Sequence, residues 1–454
     1  MPKQGFVTIV HPGKWQIAIP RSGSLLVLLF CLTVVLRLVA VAATFQGNDK
    51  VESWEDVSIA RNLLDGKGYA IDKAWRTRMT YGSIIPDIEE KIGDLIVEGS
   101  RPTTLKQPVF PFLLTAVFYF FGFGNFLALF IVHSILAGFT SITLFLALRE
   151  QSEPLATVFA LGFAVYPSFV YQCATSPEAT IVLLFLFSLF CYQAVRLQKG
   201  PTLKKFAILG AIAGVLVMTN PGTLIFTTLS ICFVAFLACD RNSDRIKHVM
   251  ASFILLTVIV SPWFIRNYLV FDRFVMRART GHELLKTQFE AGHNTFPEQI
   301  LLGLEKQGRR LNEVEEGEML IDVIRSSIRE NPSISGQVIG MNLLHLWWEP
   351  PRYQNDYSLQ YILGRRFPYY FLLVLSIPAV TSSLIHLARQ RVAYMKCHVY
   401  DCMAILLIAT ETVLYGYVGG WNIRYHFPTE LALLLFAAQT TVGLYGRVTW
   451  RGIA

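Results

Sequence analysis

With 454 residues, 53% of them hydrophobic and only 16% charged, the chain departs from a soluble domain, which carries roughly 25% charge. Despite the net charge of +8, no nucleic-acid partner is expected, because the basic residues sit in short segments between apolar blocks. Those blocks approach the roughly 20 residues that cross a ~30 Å hydrocarbon core, so the fold class expected is an all-α, polytopic helical membrane protein.

The first block, 24–44, carries Arg37 in its interior, where a charge is costly and faces a cavity or a partner. "AVAAT" at its end offers small residues, but the block exceeds the 7–15 residues of a cleavable signal core. An uncleaved anchor is expected.

"ESWEDVSIARNLLDGKGYA", Glu52 to Ala70, follows. Ser53 reads as the cap of a helix whose third position is Asp56, an arrangement like a capping box. Trp54, Val57, Ala60, Arg61 and Leu64 then share a face, and Gly66 and Gly68 stop the helix. The expectation is a helix lying along the membrane surface with Trp54 at headgroup level. Capping accounts for Asp56, and Glu55 is expected in solvent, since the helix dipole alone favours acids in a first turn. Glu52 precedes the cap and is free to point into a cavity.

"VFPFLLTAVFYFFG", 109–122, is short and contains Pro111, so it reads as a re-entrant or interfacial helix. Further spans are expected at 126–148, 155–172, 179–195, 206–219, 222–239, 249–265, 366–388, 400–420 and 427–446, which makes about ten or eleven in all. "TSPEATIV" gives Ser176 as cap, Pro177 as first helical residue and Glu178 in the first turn. "SPWFIRNYLVFDRF" sets Trp263, Arg266 and Asn267 where a span meets water, and "GGWNIRYHFP" does the same with Trp421, Arg424, Tyr425 and His426. Aromatic belts and snorkelling arginines are ordinary anchors, so each motif alone is weak. Trp347 and Trp348, followed by Pro350 and Pro351, predict an interfacial helix ending at the bilayer surface. His282, His293, Glu283 and Glu290 follow no metal-ligand spacing, and the cysteines imply neither a metal site nor a disulfide framework.

Lys and Arg set the orientation. With the N-terminus inside, segments 1–23, 149–153, 196–205, 240–248, 389–398 and the tail from Arg447 are inner and rich in bases. The short outer loops near 173–178, 220 and 421–426 contribute Arg424 alone. Both termini are thus expected in the cytoplasm of a multi-pass cell-membrane protein, and segments 45–108 and 266–365 outside it. Three parts follow: an N-terminal transmembrane module (1–265) with its large first outer loop, an outer segment (266–365) and C-terminal transmembrane helices (366–454).

Taken in order, these motifs resemble those of the GT-C superfamily of integral membrane glycosyltransferases. More narrowly, they are similar to dolichyl-phosphate-mannose protein mannosyltransferases and the lipid A aminoarabinose transferase. The resemblance rests on Glu52 followed by Ala60–Leu64 and Gly66–Tyr69, on "TLKQPVFPFLL" with Lys106, on Pro262, Trp263, Arg266 and Asn267, and on Arg424, Tyr425 and Pro428. The family usually has Asp followed by Glu where this chain has Glu52 and Ser53, which leaves Glu55 or Asp56 as the second carboxylate.

The resemblance implies a GT-C fold with extracytoplasmic interfacial helices and a polyprenyl-phosphate-linked sugar donor entering from membrane lipid. It also implies a lipid, glycan or protein acceptor and an inverting single displacement at the anomeric carbon. Glu52, with Glu55 and Asp56 beside it, would supply the base. Lys106, Arg424, Arg37 and Arg266 would stabilise the departing phosphate, with Tyr425 in the same late motif, and Glu178 would contact the acceptor. No cofactor is implied, and a cation-rich site does not require a metal. The alternative is a lipid-linked oligosaccharide flippase or transporter. Sparse intramembrane charge, unequal outer loops and the lack of an internal repeat favour the enzyme.

Overall fold

The computed structural model describes residues 22–51, 55–72, 99–278, 280–281, 284, 312–330, 332–348, 362–418 and 426–451. Among these, seven helices are long and apolar enough to cross a membrane: Gly23–Thr44, Phe126–Leu148, Thr180–Leu197, Asn242–Phe271, Gly364–Gln390, Val399–Tyr417 and Phe427–Leu444. The span expected at 155–172 is instead a pair, Glu153–Val165 and Pro167–Thr175, bent by 44°, and it makes an eighth if taken as one. The blocks expected at 206–219 and 222–239 form the helices Leu203–Thr219 and Thr223–Ala238, of 17 and 16 residues. The larger expected number of spans therefore included helices shorter than a full bilayer crossing. Val109–Phe121 is a short apolar helix, with Pro108 at its N-cap and Tyr119, Phe120 and Phe121 exposed at its end. Its aromatic tip suits a membrane interface.

The bend has a chemical cause and a chemical remedy. Pro167 has no N–H to continue the 153–165 helix, so the last carbonyls of that helix lose their partners. Arg37, fully buried, donates to Phe163 O at 3.2 Å and to Ala164 O at 3.1 Å, and its guanidinium lies 5.0 Å from the Phe163 ring centre. The charge within the first span thus serves the broken end of a neighbouring helix. A second break in the ladder lies at Pro262, inside the 242–271 helix. There the hydroxyl of Ser261 donates to Val258 O at 3.2 Å, satisfying the carbonyl that Pro262 cannot.

Between spans, lipid offers no hydrophobic driving force, so close backbone approach and buried hydrogen bonds do the holding. The 203–219 helix carries Gly210 and Gly214 four residues apart, facing the 242–271 helix. A Cβ on Gly210 would lie 2.0 Å from Ser252 O, and one on Gly214 would lie 2.8 Å from Ile259 Cβ. Ser252 Oγ donates across the crossing to Phe206 O at 2.8 Å. Gly210→Ala should therefore cost about 1–3 kcal/mol or more through overpacking, read as a lower melting temperature in detergent. Gly336→Ala, inside the Pro332–Trp347 helix where the added Cβ meets nothing within 4 Å, should leave it unchanged or raise it slightly.

Two of the C-terminal helices are tied to each other by a buried ion pair, Arg365 Nη2 to Glu430 Oε1 at 3.0 Å, with the guanidinium 4.8 Å from the Phe427 ring centre. Outside the spans, the all-α expectation needs one addition. Strands β1 (Ala70–Asp72) and β2 (Ser100–Pro102) pair antiparallel, with Ala70 opposite Pro102 and Asp72 opposite Ser100.

Candidate active site at one end of the bundle

Helix α2, Glu55–Leu64, leads into the site. Gly66 (φ 72°) and Gly68 (φ 78°) adopt the left-handed conformation that ends it. Ser53 and Trp54, the expected cap and headgroup anchor, lie outside the described residues, as does Glu52. The solvent exposure expected for Glu55 is corrected. Glu55, Asp56, Val57, Ser58, Ile59, Ala60 and Asn62 are all buried, because the helix packs against β1 and the 109–121 helix. Asn62 Nδ2 donates to Ala70 O at 3.0 Å, and Ser58 Oγ lies 3.2 Å from both the backbone nitrogen and the carboxylate of Asp72. These side chains fasten β1 to α2, and the ladder to β2 then delivers residues 103–107 alongside the acids.

Lys106 Nζ sits 3.0 Å from Glu55 Oε2 and 3.0 Å from Asp56 Oδ2, with all three side chains buried. Glu55 is therefore paired, not solvated as expected, and Asp56 has a role that capping does not supply. One ammonium bridges two carboxylates in a low-dielectric setting, where each interaction is stronger than in water. Tyr69 donates to Lys106 O at 2.9 Å. Burial first, and then the Asp56 carboxylate, push its phenol well above the ordinary value, so it remains a neutral donor.

The segment bearing Lys106 is clamped from several sides. Glu313, at the start of the Glu313–Glu330 helix, accepts from Thr103 Oγ1 at 2.9 Å, from Thr104 Oγ1 at 2.7 Å and from Thr104 N. Arg266 donates to Thr103 O and to Tyr69 O, both at 2.8 Å, and stacks near Tyr69, Trp263 and Phe271. Arg277 donates to Leu105 O at 3.1 Å, and Ala278 N to Thr104 Oγ1 at 3.0 Å.

A cavity with about 630 Å³ of space, its open mouth included, is lined by Asp56, Lys106, Gln107, Glu178, Asn220 and Arg277, with Leu105, Phe110, Leu183 and Pro221 among its apolar walls. Glu178 is buried and accepts from Gln172 Nε2 at 3.3 Å. It does not occupy a first helical turn as expected. Ser176 ends the preceding 167–175 helix, and the next helix starts at Thr180, so Glu178 stands in the connection. The buried amide of Gln107 has neither its nitrogen nor its oxygen hydrogen-bonded among the described residues, a costly state that a polar ligand would relieve.

The structure thus gathers Glu55, Asp56, Lys106 and Glu178. Arg37 and Arg266 do not line the cavity; their terminal guanidinium nitrogens are engaged with backbone carbonyls. Arg424 and Tyr425 lie outside the described residues, as do His282, Glu283, Glu290 and His293. Among the described residues no three His, Cys, Asp or Glu side chains are grouped as a metal ion would need. Sequence reasoning missed Gln107, Asn220, Arg277 and Glu313. Glu313 had a partial signal: Asn312 caps its helix by accepting from Val314 N and Glu315 N, so "NEVE" announces a helix start, though not where Glu313 reaches.

Comparison with known proteins agrees with this architecture. Residues 101–265 match the family model described as dolichyl-phosphate-mannose-protein mannosyltransferase. No curated protein matches the chain by sequence. Among solved structures, the oligosaccharyltransferase of Archaeoglobus fulgidus, tethered with an acceptor peptide containing the NVT sequon, superposes with a TM-score of 0.55 and 13% identity over 95% of this chain and 50% of that one. The same protein with zinc and sulfate gives a TM-score of 0.49 at 15% identity, covering 94% of this chain and 50% of that chain. ArnT from Cupriavidus metallidurans, bound to undecaprenyl phosphate, gives 0.40 at 12% identity, covering 92% and 78%. The chain spans about half the length of the archaeal enzyme it matches. It has the helical fold of the GT-C membrane glycosyltransferases.

Proposed function

We propose that the protein transfers a sugar from a polyprenyl-phosphate-linked donor to a hydroxyl of a lipid, glycan or protein acceptor at the extracytoplasmic face of the cell membrane. The observation that carries this reading is the buried Glu55–Lys106–Asp56 cluster, which meets Glu178 and Arg277 at one cavity. The cavity walls come from the segments near 56, 105–107, 178–180, 219–221 and 277, which the distribution of Lys and Arg assigns to the outer side. The opposite end of the bundle collects Arg149, Arg389, Arg391 and Lys396.

In this reading a carboxylate of the 52–56 segment takes the acceptor proton. Glu52 is the assignment made from the family resemblance, and Asp56 is the member of that segment lining the cavity. The acceptor oxygen then attacks the anomeric carbon, the bond from that carbon to the phosphate oxygen breaks, and polyprenyl phosphate leaves with the electron pair. A single displacement of this kind inverts the anomeric centre. Lys106 has three donors; two serve the carboxylates, and the third is available to the leaving phosphate. Arg277 adds charge where charge develops, a role the family resemblance also gives to Arg424. The Gln107 amide supplies a donor and an acceptor for sugar hydroxyls.

The test uses the protein reconstituted in vesicles with a labelled polyprenyl-phosphate sugar and a mixture of lipid and peptide acceptors. Label should pass to an acceptor with inverted anomeric configuration. Label that stays on its carrier and changes leaflet would instead make the protein a transporter.

A further inference from the structure

A second cavity lies at the end of the bundle away from the candidate active site, with about 1270 Å³ of space counting its open mouth. The connectivity sets the two apart. The 126–148 helix starts beside the turn after the first span, Gly23–Thr44, where Asn48 accepts from Phe126 N at 2.9 Å, and ends at Arg149. Gln151 and Ser152, just beyond, line this second cavity together with side chains of the helices Phe367–Gln390, Val392–Cys397, Val399–Val418 and Phe427–Arg451.

Its centre is a buried carboxylate whose oxygens are already engaged. Asp401 Oδ1 accepts from Gln439 Nε2 at 2.6 Å, and Oδ2 accepts from Tyr394 Oη at 3.2 Å and lies 3.2 Å from His398 Nδ1. The Tyr394 ring is sandwiched between His398 (centroids 4.4 Å, planes 15° apart) and His386 (5.8 Å, 13°). With its oxygens engaged, Asp401 orients these donors and is poorly placed to receive a cation from outside. His398 Nδ1 is committed to Asp401, so the second ring nitrogen, Nε2, is the one left for a ligand. The hydrogen bond to Asp401, more than the charge itself, raises the His398 imidazole above its ordinary value, which favours the ionised form. Ser152, Ser382 and Thr440 add hydroxyls to the walls, and Thr440 Oγ1 is buried with no hydrogen-bond partner among the described residues. Arg389, Arg391 and Lys396 are exposed nearby. Leu155, Pro378, Ala379 and Leu444 supply an apolar flank on helices that continue into the bilayer.

A pocket with His398 Nε2 and the hydroxyls of Ser152, Ser382 and Thr440 on its walls, and an apolar flank running into the membrane, is matched by an anionic oxygen cluster on an apolar stem. We propose that this cavity binds a phosphate group, as borne by a phospholipid headgroup or by a free phosphate, at the leaflet opposite the candidate active site. The site is independent of the catalytic reading, since it shares no lining residue with the first cavity.

The experiment places the full chain in phosphatidylcholine nanodiscs. It measures binding of labelled short-chain phosphatidylglycerol and, separately, of inorganic phosphate. Saturable phosphatidylglycerol binding that phosphate does not displace identifies a lipid headgroup, and displacement by phosphate identifies free phosphate; both support the site. His398→Gln, assayed at a temperature where the variant is still folded, should weaken binding about tenfold through the lost imidazole donor, and Ser382→Ala should weaken it less. Wild-type binding by His398→Gln, loss on Arg389→Gln and Arg391→Gln alone, or binding of neither probe would each overturn the proposal.

Discussion

Lys106→Met should abolish sugar transfer and destabilise the protein at the same time. The ammonium lies 3.0 Å from each of two buried carboxylates, and removing it takes a cationic partner from both. Breaking a buried pair in this way costs about 3–5 kcal/mol. Loss of a preorganised donor at the leaving group commonly removes a further 10²–10³ of rate. The two effects separate in Lys106→Arg. That variant keeps the charge but forces a planar fork where a compact ammonium bridges two oxygens. It should recover most of the melting temperature in detergent while turnover stays well below wild type. Normal transfer by Lys106→Met would remove the residue from the mechanism, and an unchanged melting temperature would show that the cluster is not the buried triad described above.

Glu52→Gln should lower turnover by about 10²–10⁴, the span of a positioned general base, and leave thermal stability unchanged. Asp56→Asn should differ in kind: it weakens the partnership with Lys106, so melting temperature and turnover should fall together. The pair of variants therefore discriminates between the two acids. Full turnover in Glu52→Gln, combined with loss in Asp56→Asn at a temperature where that variant is still folded, would transfer the base role to Asp56.

Sequence reading captured what depends on local chemistry. Long apolar blocks placed the helices, Gly66 and Gly68 marked the end of α2, and the order of acid, lysine and arginine motifs pointed to a GT-C fold. It did not capture which polar groups meet. Glu55 was expected in water because its neighbours are polar, yet its environment is set by a lysine delivered from residue 106 through a strand ladder that no periodicity announces in three-residue strands. Arg37 and Arg266 read as cations in search of an anion. Their donors instead engage carbonyls left open by a proline break or exposed by a turn, and backbone needs of that kind are invisible until the chain is folded. Glu178 was misplaced by three residues because Ser-Pro-Glu imitates a helix start. Gln107 carried no signal of its own beyond standing next to Lys106.

Close contact at Gly210 and Gly214 has a mechanical result. With Ser252 and Ile259 pressed onto those glycines, neither helix has clearance to slide past the other, and the cavity wall at Thr219–Pro221 is a fixed abutment. Past Pro262 the backbone is short of a strut, and the stretch carrying Arg266 begins there. On the proposed reading, a lipid-linked donor entering by the mouth is expected to displace that terminal stretch, and with it the tether on residues 103–106, more readily than the post.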